Sequence, residues 1–148
     1  MPAGFLGVAG SGLAASLAVA VGIGGYALFY ARAGDYLTDD PAACANCHVM
    51  QSYYDGWRRG PHHAAAVCND CHAPAAFVPR YAVKALNGWS HSRAFTTGHY
   101  PDAIVLRARS QAVVEAQCRR CHADLVASME GGGEVSCIRC HDRVGHLR

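Results

Sequence analysis

Cys44-Ala-Asn-Cys47-His48-Val-Met50 is the stretch on which the fold of this chain turns. Two thiols stand three residues apart, an imidazole follows at once, and a thioether comes two places later. The first five positions of that pattern return three times, as Cys68-Asn-Asp-Cys71-His72, Cys118-Arg-Arg-Cys121-His122 and Cys137-Ile-Arg-Cys140-His141. The methionine does not return. The four copies use all eight cysteines of the chain and four of its nine histidines.

In Cys-x-x-Cys-His the two thiols take up the two vinyl groups of one haem while the histidine faces the iron. Cys-x-x-Cys pairs also hold structural zinc, two pairs to an ion, or close as disulfides in an exported domain. Neither use requires a histidine after every second cysteine. With nine histidines among 148 residues, four such coincidences have a probability on the order of one in a hundred thousand. Four covalently bound c-type haems are therefore expected, on Cys44 and Cys47, Cys68 and Cys71, Cys118 and Cys121, and Cys137 and Cys140. The composition asks for them. Leucine, isoleucine and phenylalanine are sparse after residue 40, too few to bury a conventional core, so a large prosthetic group has to order the chain. A net charge of +2 suggests no nucleic-acid partner.

Outward from the motifs, Phe5 to Tyr30 carries no charged side chain. A membrane-crossing helix needs about 20 apolar residues, and glycines are common in such helices. Residues 1–33 are read as a membrane anchor with a span of about 5–30, and residues 34–148 as the haem-bearing domain. Ala31-Arg32-Ala33 has the form of a signal-peptide cleavage site, but the apolar run is too long and no basic segment precedes it. Bacteria attach haem c outside the cytoplasmic membrane, so the domain is expected in the periplasm. The expected fold class is mainly α and loop-rich, a multihaem cytochrome c hung on a single N-terminal transmembrane helix. Helices are predicted from near Pro79 into the nineties, from Pro101-Asp102 with Asp102 as cap to the third motif, and over Ala123–Met129, ending at Gly131-Gly-Gly133.

Each haem iron needs a ligand opposite its motif histidine. The spare histidines are His62, His63, His91, His99 and His146. His146 lies too close after His141 to reach round that haem and is better placed on a neighbour's. His63, just before Cys68, invites the same argument, while His62 and His99 have no assigned role.

An N-terminal anchor before four C-x-x-C-H motifs, the first extended to C-x-x-C-H-x-M, resembles the NapC/NirT family of membrane quinol dehydrogenases. The motif spacing and Cys68-Asn-Asp-Cys71-His72-Ala-Pro74 look most like the small tetrahaem subunits of cytochrome c nitrite reductase complexes. The resemblance implies that Met50 binds the haem 1 iron in place of His48. It implies His72 and His146 on haem 2, His122 and His63 on haem 3, and His141 on haem 4 with a distal lysine from the catalytic partner. A thioether in place of imidazole raises the reduction potential. The resemblance also places a quinol site on the helix near Pro79. Lys84 matches the lysine of that site, and His91 stands where an aspartate is usual, so it either ligates haem 1 or accepts a proton from quinol.

The function so implied is oxidation of menaquinol at haem 1 and relay through four haems to a periplasmic multihaem cytochrome c nitrite reductase, in nitrite ammonification. The alternative keeps the quinol chemistry and serves a nitrate or N-oxide reductase instead. A haem storage or sensor protein is a third reading, opposed by the Lys84–His91 face. The expected partners are the catalytic reductase subunit, the membrane with its menaquinol, and a second copy of the chain.

Overall fold

The computed structural model describes residues 3–101, 104–129 and 135–146, with side chains from residue 8. Eight α-helices are described: α1 (Ala3–Tyr30), α2 (Pro41–Cys44), α3 (Gln51–Arg59), α4 (Cys68–His72), α5 (Phe77–Thr97), α6 (Ala108–Cys121), α7 (Ala123–Ala127) and α8 (Cys137–Cys140). Short 3₁₀ turns cover Ala33–Leu37, His48–Met50 and Pro61–Ala64. No strand occurs among the described residues.

The chain divides into two units, Met1–Asp35 and Tyr36–Arg148. In the first, α1 is apolar all round, and Val8–Tyr30 is long and apolar enough to cross a membrane. Tyr26 and Tyr30 stack on its last turn at 6.1 Å, and Arg32 and Asp35 pair at 2.9 Å just beyond it.

The second unit has almost no core of its own. Ala73 is the only buried apolar side chain among the described residues, and Lys84 and Gln117 are the buried polar ones. Polar and backbone contacts hold the elements instead. α4 packs on α6, and α6 on α8. The Trp57 indole on α3 donates to the Ala66 carbonyl at 3.0 Å. The C-terminal segment crosses the end of α3 at Gly60, where a Cβ would stand 3.2 Å from the Trp57 carbonyl oxygen and 3.6 Å from that of Val144.

α5 begins at Phe77, so Pro79 sits at its third position rather than its first. The first turn has no intrahelical use for its N–H groups, and proline is accommodated there. Gly98, at φ 68°, ends α5 in the left-handed conformation that glycine supplies. α6 starts at Ala108, later than predicted, because residues 104–107 are not helical. Two β-branched residues are weak helix formers there, and the Tyr53 hydroxyl takes up the Ile104 carbonyl at 3.3 Å. α7 stops at Ala127, within the predicted span. The proposed cap Asp102 and the stop Gly131–Gly133 lie outside the described residues.

α3 was not predicted. Tyr53, Tyr54 and Trp57 line one face of an otherwise polar pattern, a signal the sequence reading passed over, and i,i+4 pairs support the helix: Gln51 Nε2 donates to Asp55 Oδ1 at 3.0 Å, and the Arg58 guanidinium lies 5.8 Å from the Tyr54 ring centre.

Candidate haem-binding and redox site

Each motif sits in or at the end of a short helical turn, which places its two thiols on one side. Motif 1 begins on α2, where the Asp40 carboxylate accepts the Ala42 N–H at 2.9 Å and Pro41 takes the first helical position. Motif 2 is α4 itself, started by Asp70, whose carboxylate accepts the Val67 N–H at 2.9 Å. Motif 3 is the last turn of α6, and motif 4 is α8 followed by His141. Glu115 on α6 joins the last two: its carboxylate accepts the Cys137 N–H at 2.9 Å, the Ile138 N–H at 3.3 Å and the Ser136 hydroxyl. Burial would raise the Glu115 carboxyl, but these hydrogen bonds bring it down to about 2.

The cysteines are unpaired, and the motifs neighbour one another in chain order. The thiols of Cys44 and Cys68 share a hydrogen bond, which lowers the first and raises the second. α4, the second motif, packs on α6, whose last turn is the third, and α6 packs on α8, which opens the fourth.

Two histidine pairs converge. The His72 and His146 ring centres are 5.9 Å apart, and those of His62 and His122 are 6.1 Å apart. A metal–imidazole bond is about 2 Å and the nitrogen lies about 1 Å from its ring centre, so two rings flanking one ion stand about 6 Å apart. Both pairs leave that gap. One ring of each pair, the one outside a motif, is also oriented for it. His146 Nδ1 donates to the Tyr53 carbonyl at 3.0 Å and His62 Nδ1 to the Val144 carbonyl at 3.2 Å. A carbonyl only accepts, so Nδ1 carries the proton and Nε2 keeps the lone pair that a metal needs. Burial, and then His146, lower the His72 pKa, which favours the neutral, ligating ring.

His63 is not the residue that faces His122. Its exposed ring packs edge-on against Trp57 at 5.7 Å, because the 3₁₀ turn Pro61–Ala64 sends consecutive side chains in different directions. Spacing alone could not separate His62 from its neighbour. His141 follows α8 directly and is exposed. His48 and His99 are exposed, and Met50 is half-buried at the end of the turn His48–Met50.

Lys84 and His91 both lie on α5, and the segment after Tyr36 runs along them. Lys84 is buried at 7 % exposure. Its ammonium donates to Asp39 Oδ1 and to the Thr38 carbonyl, both at 2.8 Å. Arg80 meets the other Asp39 oxygen at 2.8 Å, and Asn69 Nδ2 donates to Asp39 Oδ1 at 2.8 Å. The hydrogen bond from Lys84 leads in bringing Asp39 down to about 2. Further along, the Tyr36 hydroxyl and His91 Nδ1 are 3.2 Å apart. The Tyr36 ring lies over Gly88, where a Cβ would come within 3.4 Å of it. His91 is exposed, and the atoms crowding one side of its ring, followed by the Arg107 charge, lower its pKa. Asp39 and Tyr36 were missed by sequence reasoning. The one available signal was the Asp39-Asp40 pair, of which only one carboxylate can cap α2.

Paired thiols in turns, facing imidazoles with Nε2 to offer and a domain with no apolar core of its own fit covalent haem, the class of a multihaem c-type cytochrome. Residues 9–148 match the N-terminal region of the NapC/NirT cytochrome c family, and the chain belongs to that family. It therefore carries covalent haem c. It is 35% identical over 143 residues to the cytochrome c-type protein NrfH of Wolinella succinogenes, covering 87% of this chain and 81% of that one. It is 34% identical over 129 residues to the cytochrome c nitrite reductase subunit NrfH of Nitratidesulfovibrio vulgaris, covering 85% and 79%. Among solved structures it is similar to a chain in the crystal structure of the cytochrome c nitrite reductase NrfHA complex bound to the HQNO inhibitor. The TM-score is 0.69 at 29% identity, over 89% of this chain and 90% of that one.

Proposed function

We propose that this chain is a membrane-anchored menaquinol dehydrogenase that delivers electrons to the catalytic subunit of a periplasmic cytochrome c nitrite reductase. The observation that carries this reading is the likeness, over nine-tenths of the chain, to a subunit of a nitrite reductase complex holding the HQNO inhibitor. The polar face of Lys84 and His91 beside the first motif adds to it. Four haems are held through the eight motif cysteines and, when bound, pass single electrons from one to the next. The hydrogen bond from Asn69 of the second motif to Asp39, just ahead of the first, and the packing of α4 on α6 and of α6 on α8 support a relay from the first motif to the fourth.

The chain's own residues then divide the work. His72 with His146, and His122 with His62 rather than His63, ligate the second and third haems. Met50, with His48 as its alternative, serves the first. His141 serves the fourth, with the opposite side left to a residue of the partner. Menaquinol gives up two electrons and two protons; Lys84 hydrogen-bonds a quinol oxygen, His91 accepts one of the protons, and the other leaves to the water at the membrane surface. α1 crosses the membrane with its N-terminus in the cytoplasm, and residues 34–148 lie in the periplasm.

The test is quinol-driven nitrite reduction by the purified complex. A reduced menaquinol analogue should bleach as nitrite is consumed, with a larger multihaem protein co-purifying. Haem reduction by the quinol with no nitrite turnover, and a nitrate or N-oxide reductase co-purifying instead, would refute the nitrite assignment. No haem reduction by quinol would refute the dehydrogenase reading itself.

A further inference from the structure

Asp39 lies where the segment leading into α2 meets α4 and α5, and nothing in the proposed function uses it. Its Oδ1 accepts from Lys84 Nζ and from Asn69 Nδ2, and its Oδ2 from Arg80, all at 2.8 Å. Asn69 belongs to the second haem motif and Arg80 to the first turn of α5. The ammonium it holds is buried, rests 5.2 Å from the Tyr81 ring centre, and is bound to Thr38 and Asp39, the segment that leads directly into α2 and the first motif. A lysine has three N–H donors. Two are taken by Asp39 and the Thr38 carbonyl, and their directions set the direction of the third.

We propose that Asp39 is a positioning residue for quinol oxidation: it clamps Lys84 beside the first motif so that one N–H of the ammonium is aimed at the quinol oxygen. This rests on the reading of Lys84 as a quinol-site residue. The carboxylate also offsets the lysine charge, so the site binds a neutral quinol without presenting a bare buried cation. Without Asp39 the flexible four-carbon arm of Lys84 is free to swing to solvent, and the donor is lost from the pocket although the lysine remains.

The experiment uses the holo complex with its reductase partner, comparing Asp39→Asn, Asp39→Glu and Lys84→Met. The readouts are quinol-driven nitrite reduction and the binding of HQNO. Reduced viologen, which feeds the reductase directly, serves as the bypass control. Asp39→Asn should lower quinol-driven kcat at least tenfold and weaken HQNO by a similar factor, with haem content and the viologen rate unchanged. Asp39→Glu should recover a substantial part of both. In the Lys84→Met background, Asp39→Asn should weaken HQNO no further, since it acts through the lysine. If Asp39→Asn matures with too little haem, Asp39→Ser at this exposed position repeats the test.

Three results would overturn the inference. Asp39→Asn within twofold of wild type while Lys84→Met loses activity would discard the clamp and leave the quinol site standing. A further loss of HQNO binding on adding Asp39→Asn to Lys84→Met would mean that Asp39 does not act through the lysine. Full activity of Lys84→Met would discard the quinol-site reading, and the clamp with it.

Discussion

Replacing His62 and His63 separately by alanine tests the geometry of the site most directly. His62 stands 6.1 Å from His122 between ring centres, the gap about 6 Å wide that one metal ion between two imidazoles requires. Its Nδ1 is bound by the Val144 carbonyl at 3.2 Å, which turns Nε2 toward that gap. His63 offers neither feature. On the proposed assignment of four haems, with His62 opposite His122, His62→Ala should leave one iron in four without its distal ligand, and so about a quarter of the ferric haem should turn high-spin. His63→Ala removes an edge-on contact with Trp57 at 5.7 Å. That contact is worth about 0.5–1.5 kcal/mol, and its loss should not change any spin state. Electron paramagnetic resonance and near-infrared magnetic circular dichroism of the oxidised variants count the high-spin fraction, with total haem measured alongside. A high-spin quarter in His63→Ala, with His62→Ala unchanged, would refute the assignment and the reasoning from ring separation.

Met50→Leu should alter the spectrum and potential of one haem only, and quinol-driven electron transfer with it. If instead His48→Ala alone produces that change, His48 is the ligand and Met50 a packing residue. Glu115→Ala removes the acceptor of the first two N–H groups of α8 and should cost about 1–2 kcal/mol, the value of a helix cap, read as easier chemical unfolding with the haems in place. Asp39 and Glu115 are both depressed to about 2, from 3.8 and 4.5. Their contributions are therefore full above pH 4.5 and are lost as pH falls toward 2. Thermal melts should be flat down to about that point and fall below it, less steeply in Asp39→Asn and Glu115→Gln; a wild-type melt that rises below pH 4 contradicts this. Gly88→Ala should be tolerated, because its Cβ meets the Tyr36 ring at an ordinary 3.4 Å and alanine gains about 1 kcal/mol in helix propensity. Gly88→Leu should displace Tyr36 from His91 and lower quinol-driven turnover.

Much of the architecture was legible because its causes are local. α1 is readable from an uncharged run that a soluble helix would not tolerate. α5 is readable from a proline near its start and Gly98 at its end. α3 was passed over because only Tyr53, Tyr54 and Trp57 mark its apolar face; the rest of its support comes from pairs such as Gln51–Asp55 and from the turn packed against it. The late start of α6 has the same origin: the Ile104 carbonyl is claimed by Tyr53, a residue from another helix. Elements held by backbone contacts in place of an apolar core leave little periodicity to read.

The sequence by itself determined where the four pairs of thiols stand and which histidine accompanies each pair. Two cysteines and a histidine within five positions meet in any helical turn, whatever the rest of the chain does. Only the tertiary structure decided which residues stand opposite. His62 rather than His63 faces His122, His146 comes back to His72, and Asp39 reaches Lys84. Each of those pairings joins segments far apart in the chain, and a change of one residue in the turn at Pro61–Ala64 would exchange one imidazole for its neighbour. Spacing specifies contacts within a turn; across a fold, the direction of each side chain depends on backbone torsions that the whole packing sets.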